Sequence, residues 1–242
     1  MEYTADGQPF TISGQEPDSI HIGTPISNVS RAVQLRSDKD GQLSIVAAEP
    51  GKYELKMADG KSRLAEISAV PAPVEIVGAW DVSFPPKWGA PEKITVDKLT
   101  SLSESTNAGV KYFSGTATYA KEFDWKPAAQ IGKQKSEIWL DLGDVQVMAQ
   151  VKLNGHDLGS LWQPPFRLNI TDALQAGSNA LEVRVANLWR NRMIGDAALP
   201  KAERFTWSSS AQFSSDTPLP KSGLLGPVII DTAEIIPVSP TN

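Results

Sequence analysis

The stretch VQVMAQVKLNG, residues 145–155, decides how the chain is read. Val145, Val147, Ala149, Val151 and Leu153 fall on one side of a period-two pattern, and Gln146, Gln150 and Lys152 fall on the other. Alternation of that kind predicts a half-buried antiparallel strand. Asn154-Gly155 then supplies the positive φ of a tight hairpin turn. The same period recurs in NALEVRVAN, where Leu181, Val183 and Val185 oppose Glu182 and Arg184, and in IWLDL, where Ile138, Leu140 and Leu142 oppose Trp139 and Asp141. Three strands with one dry face each need a second sheet to cover them, so the expectation is an all-β sandwich.

The N-terminal third carries shorter strand patterns, QLSIVAA and KYELKM, with a hairpin signal at Asp59-Gly60. It predicts a small β unit with an edge or lead-in over residues 1 to about 30. Two prolines in VPAPVEI, residues 70–76, predict a stiff extended connector. The division expected is therefore a small β unit over 1–72 and a larger sandwich over 73–242. One single-turn helical signal lies in TDALQAG, 171–177, capped by Thr171 or Asp172 and stopped by Gly177. From Leu188 to Gly226 no strand pattern is evident, and an irregular stretch of that length is a place to look for function.

Charge and composition exclude several classes. A net charge of −5 with both signs interspersed provides no field for nucleic acid or an anionic membrane. The absence of cysteine removes disulfides, thiolate chemistry and cysteine zinc sites, and two distant histidines, His21 and His156, make no metal centre. No run has the roughly 18 apolar residues of a membrane span, and MEYTADGQPF has no signal-peptide pattern.

Read in order, GAWDVSF, GVKYFSGTATYAKEFDW and IWLDLGDVQVMAQVKLNGHDLGSLWQPPFRLNITDALQAGSNALEVRVANLW resemble the sugar-binding β-sandwich that accompanies glycoside hydrolase family 2 catalytic domains, a galactose-binding-like jelly roll. The words KYFSGTATY, NLWRNRMIGD, FTWSS and SGLLGPVII look closer to the C-terminal region of bacterial α-L-rhamnosidase-like enzymes, glycoside hydrolase family 106. EPGKYELKMADGKSRLAEISAVPAPVEI is similar to what precedes the jelly roll there, so the resemblance runs from about residue 40 to about 235. It implies an accessory role beside a catalytic barrel, carbohydrate and a glycosidase catalytic domain as partners, an extracellular or periplasmic setting, and a structural calcium as the metal that such sandwiches carry. It departs from the family in one respect: the family's catalytic carboxylates sit on an upstream barrel. A glycosidase needs two carboxylates held roughly 5 to 9.5 Å apart across one sugar. No catalytic residue is expected here; retained glycosidase activity and a docking domain without ligand are the alternatives.

A carbohydrate site pairs an exposed aromatic ring with Asn, Asp, Gln or Arg, because sugars offer an apolar C–H face and hydroxyls. Trp162 and Gln163 in LGSLWQPPFR fit, or Trp162 plugs one end of the sandwich with Phe166. In NLWRNRMIGD the candidates are Trp189, Arg190, Asn191, Arg192 and Asp196. Alternatively that loop is a brace for FTWSSSAQF, with Arg192 paired to Asp196, Asn187 capping the turn and Trp189 covering the sheet end. Trp207 in RFTWSSS is the last candidate. Asp141 and Asp144 are expected to cap turns, so no metal-binding residue and no cofactor are predicted.

Overall fold

The computed structural model describes residues 11–14, 33–57, 60, 62–127, 135–208 and 213–240. His21, most of the N-terminal lead-in and Asp59 lie outside the described residues. In chain order the strands are β1 (Thr11–Gly14), β2 (Val33–Ser37), β3 (Leu43–Ala47), β4 (Gly51–Lys56), β5 (Ser62–Ile67), β6 (Val74–Glu75), β7 (Trp80–Ser83), β8 (Lys93–Val96), β9 (Gly115–Trp125), β10 (Lys135–Asp141), β11 (Asp144–Gln146), β12 (Met148–Leu153), β13 (His156–Leu161), β14 (Arg167–Asn169), β15 (Gly177–Asn187), β16 (Gly223–Gly226), β17 (Ile229–Pro237) and β18 (Ser239–Pro240). Two short α-helices, α1 (Ala108–Lys111) and α2 (Arg190–Ala197), interrupt them. The chain is mostly β, as its alternation predicts.

Two compact units form. The first takes in residues 1–74, 128–139 and 230–242, and the second 75–127 and 140–229. In the first unit, β4 and β5 make a hairpin running from Gly51 opposite Ile67 to Lys56 opposite Ser62. Gly60 turns it with a φ of 82°. β1 adds an edge to β4, and β3 lies between β2 and the end of β17, Glu234 facing Ala47. Their inward residues, among them Ile45, Tyr53, Leu55, Ile67 and Ile236, form one buried cluster.

The second unit is built on a six-stranded sheet in the order β13-β12-β15-β9-β7-β8. Its register turns the alternation into rows. Val82, Tyr119, Val183 and Val151 stand side by side across four strands, all almost fully buried. Each such side chain contributes about 1.5–3 kcal/mol by leaving water. The neighbouring row, Ser83, Thr118, Arg184 and Gln150, faces the other way and is hydrophilic. Asn154 and Gly155 close the β12–β13 hairpin with φ of 53° and 81°, as the Asn-Gly signal predicts.

Asn154 does more than turn the chain. Its Nδ2 donates to Ala173 O and to Asn179 Oδ1, both at 2.8 Å, while its Oδ1 accepts from Ala180 N. Asn179, buried, also accepts from Gln175 N and donates to Gln175 O and Gly177 O. The pair pins the single turn near 171–177 to the hairpin.

Two sequence expectations need correction. The 145–153 alternation is not one strand: Val145 belongs to β11, which pairs with β16, whereas Met148 onward pairs with β15 and β13. Val147, between the two partners, is 38% exposed. In IWLDL, Asp141 is buried rather than on a wet face, because its Oδ1 accepts the Gly143 N–H at 2.8 Å and holds the turn into β11.

Candidate functional site

The stretch read as a loop, NLWRNRMIGD, leaves β15 at Asn187 and winds into α2. No side chain of its own caps this helix. The cap comes from Ser114, just before β9: its hydroxyl donates to Leu188 O at 2.8 Å and accepts the Arg192 N–H at 3.2 Å. An oxygen at that position satisfies one of the free N–H groups of the first turn and is worth about 1 kcal/mol. Asn187 serves the strand rather than the turn, its Nδ2 donating to Gly115 O and Val185 O.

Helical winding sorts the candidates by face. Asn191, Arg192 and Asp196 turn inward and are each about 97% buried or more. Arg192 Nε lies 3.0 Å from Asp196 Oδ1, the i,i+4 spacing that a helix brings together. The guanidinium also sits over the rings of Phe205, 4.7 Å from its centroid, and Tyr112, at 5.7 Å. Asp196 Oδ2 accepts from Thr206 N at 2.7 Å and from Thr206 Oγ1 at 2.6 Å, and Asn191 Nδ2 donates to Pro220 O. These three residues therefore hold segments 112–114, 205–206 and 220 against one helix; of the expected brace, the Arg192–Asp196 pair and the tie to the FTWSSSAQF stretch at Thr206 are present, whereas Asn187 does not cap the turn. The sequence points to the FTWSSSAQF stretch, which holds Thr206, and to the Arg192–Asp196 spacing; Tyr112 and Ser114 are not legible in it as partners.

Trp189 and Arg190 stay outside. Trp189 is 68% exposed, so it does not cover the sheet end, and Arg190 lies on the ring of Phe213, 5.4 Å from its centroid. Trp207, adjoining the Thr206 anchor, is 86% exposed. Trp162 is 68% exposed and Gln163 is exposed beside it, whereas Phe166 is buried; the plug is Phe166 alone. Trp80 and Trp125 are in the core.

Calcium takes six to eight oxygens, and among the described residues no three acidic or histidine side chains gather. Asp141 is occupied with the Gly143 N–H, and Asp144 accepts from Gln146 Nε2 at 2.6 Å and lies 3.7 Å from Lys221 Nζ. His156 is exposed in its turn.

The profile of the family described as glycosyl hydrolase 2 galactose-binding domain-like matches residues 93–218, just over half of the chain and most of the second unit. The chain belongs to that family. Its second unit is thus a galactose-binding-like β-sandwich, as the sequence resemblance implies. A Formosa agariphila protein with the provisional name beta-glucuronidase is 38% identical over 254 aligned residues, which take in 96% of this chain and 21% of that protein. A rhamnosidase from Novosphingobium sp. PP1Y, of known structure, is 31% identical with a TM-score of 0.62 over 94% of this chain and 25% of its own. The chain spans about a fifth to a quarter of the length of these relatives. It is a domain of the glycoside hydrolase 2 type.

Proposed function

We propose that the chain is a non-catalytic carbohydrate-binding or accessory module of an α-L-rhamnosidase-like glycoside hydrolase, family 106 in type, that acts on plant or bacterial polysaccharide outside the cytoplasm. The observation that carries the reading is the exposure of Trp162, Trp189 and Trp207 in a chain whose core is packed without them. A tryptophan can bury 150–250 Å² of surface, so three left in water contribute little to folding and are suited to stacking on the apolar face of a sugar. Catalysis is assigned to no residue: Asp196, the carboxylate of the NLWRNRMIGD stretch, is buried and committed to Arg192 and Thr206. The likeness to the Novosphingobium rhamnosidase supports the choice of parent enzyme.

A glycan array with the purified chain tests the reading. Signal on plant or bacterial polysaccharide that falls on Trp162→Ala or Trp189→Ala, with the melting temperature unchanged, is the expected result. Silence across the array overturns it in favour of a docking domain. Turnover of an aryl α-L-rhamnoside, lost on replacing one carboxylate, overturns it in favour of an enzyme.

A further inference from the structure

The exposed apolar side chains of the second unit are not scattered. Met148 opens β12 opposite Ala186 of β15, and the Val147 N–H donates to Ala186 O. Ala149 pairs with Leu161, so Trp162 leaves β13 at the same end of the sheet at which Leu188 and Trp189 leave β15. β13 and β15 are separated by β12 alone, two strand spacings or about 10 Å. Val147, Met148, Trp162, Leu188 and Trp189, between 38% and 68% exposed, thus mark one end of one sheet.

Two guanidinium groups flank that end. Arg190 follows Trp189 directly and rests on Phe213. Arg184 stands on the outer face two residues before Ala186, its Nη1 donating to Gln150 Oε1 at 3.1 Å, and Gln150 Nε2 in turn donates to Asp157. Among the described residues neither arginine is within ion-pair distance of a carboxylate, although the chain carries a surplus of acidic groups. Asp157, which shares Gln150 with Arg184, already feels that guanidinium's charge. Arg190, with no carboxylate within ion-pair distance and an aromatic platform beside it, is suited to an anion supplied by the ligand, because a guanidinium takes a carboxylate in paired, charge-assisted hydrogen bonds.

We propose that this end of the sheet binds a uronate-containing oligosaccharide, with sugar rings on Trp162 and Trp189 and a sugar carboxylate on Arg190. The proposal rests on the carbohydrate-binding reading above and adds to it the charge of the ligand and the end of the sheet that holds it. Apolar surface supplies contact that any sugar shares; the Arg190 guanidinium sets the preference for an acidic one.

The test is calorimetric titration of the chain with a panel of uronate-containing oligosaccharides, each beside its methyl ester, which keeps the ring and removes the charge. At least one acid is expected to bind about tenfold or more tightly than its ester, and to weaken as salt rises. Arg190→Gln should remove that preference while leaving the ester's affinity in place; Trp189→Ala should weaken acid and ester together. Equal binding of every acid and its ester overturns the uronate preference and leaves the carbohydrate-binding reading standing, as does binding confined to neutral glycans. No binding of any glycan overturns both, and self-association abolished by Trp189→Ala in that case assigns the surface to protein contact.

Discussion

Arg192 Nε and Asp196 Oδ1 lie 3.0 Å apart with both side chains only 4% exposed, one turn from each other on α2. A buried ion pair gains little over an apolar pair, but removing one partner strands the other charge in a medium that cannot solvate it. Arg192→Met keeps most of the volume between Tyr112 and Phe205 and leaves Asp196 with Thr206 alone. It is expected to cost about 3–5 kcal/mol in urea unfolding, and Arg192→Met combined with Asp196→Leu should cost less than the sum of the single changes. A loss under about 0.5 kcal/mol for Arg192→Met would show that the pair does not hold the segments it touches.

Gly195 lies under Tyr112. A Cβ there would stand 2.5 Å from Tyr112 Cγ, 2.8 Å from Tyr112 Cβ and 2.7 Å from Arg192 Nη2. Alanine improves helix propensity by about 1 kcal/mol in an open position, whereas forcing an extra methyl into a packed contact costs about 1–3 kcal/mol. The contact should win here. Gly195→Ala is expected to lower the thermal midpoint; a rise would mean that the helix shifts away from Tyr112 freely.

Asn179 accepts or donates four hydrogen bonds while 99% buried. Each is worth about 1 kcal/mol net, and the groups left behind at Gln175 and Gly177 lose partners as well. Asn179→Ala is therefore expected to destabilise by about 2–4 kcal/mol, with amide hydrogen exchange speeding first at Gln175 and Ala180. Uniform exchange with unchanged stability would sink the idea that the Asn154–Asn179 pair fastens the 171–177 turn.

Much of this was legible in the sequence where one period governs. Leu181, Val183 and Val185 alternate inward along β15, and Asn154-Gly155 turns the hairpin, because a strand with one dry face and a turn with positive φ are both local demands. Local pattern says nothing about partners. Nothing in 145–153 announces that Val145 pairs with β16 and Met148 with β15, so the break at Val147 was invisible. The helix at 190–197 was hidden for a related reason: its cap, Ser114, lies in a different part of the chain, and its apolar cover comes from Tyr112 and Phe205 rather than from an amphipathic stripe. Of the eight candidate site residues, residue type could name an aromatic or a donor, but only the winding of α2 separates exposed Trp189 and Arg190 from buried Asn191, Arg192 and Asp196.

In the first unit, Glu234 faces Ala47 in the β17–β3 pair and is only 4% exposed. Burial pushes its carboxyl above the ordinary value of 4.5. A carboxyl whose pKa is raised on folding binds its proton more tightly in the native state. Its contribution is then most favourable below the unfolded pKa and is lost as pH climbs through the folded value. At pH 7 the unfolded chain carries this charge freely, whereas burial in the native protein opposes it. Glu234→Gln removes that charge with little change of shape, so its thermal midpoint should exceed that of the wild type at pH 7. The advantage should shrink as pH is lowered to about 4, where the wild-type carboxyl is protonated in the folded state. An offset that is the same at both pH values would assign the effect to packing instead of ionisation.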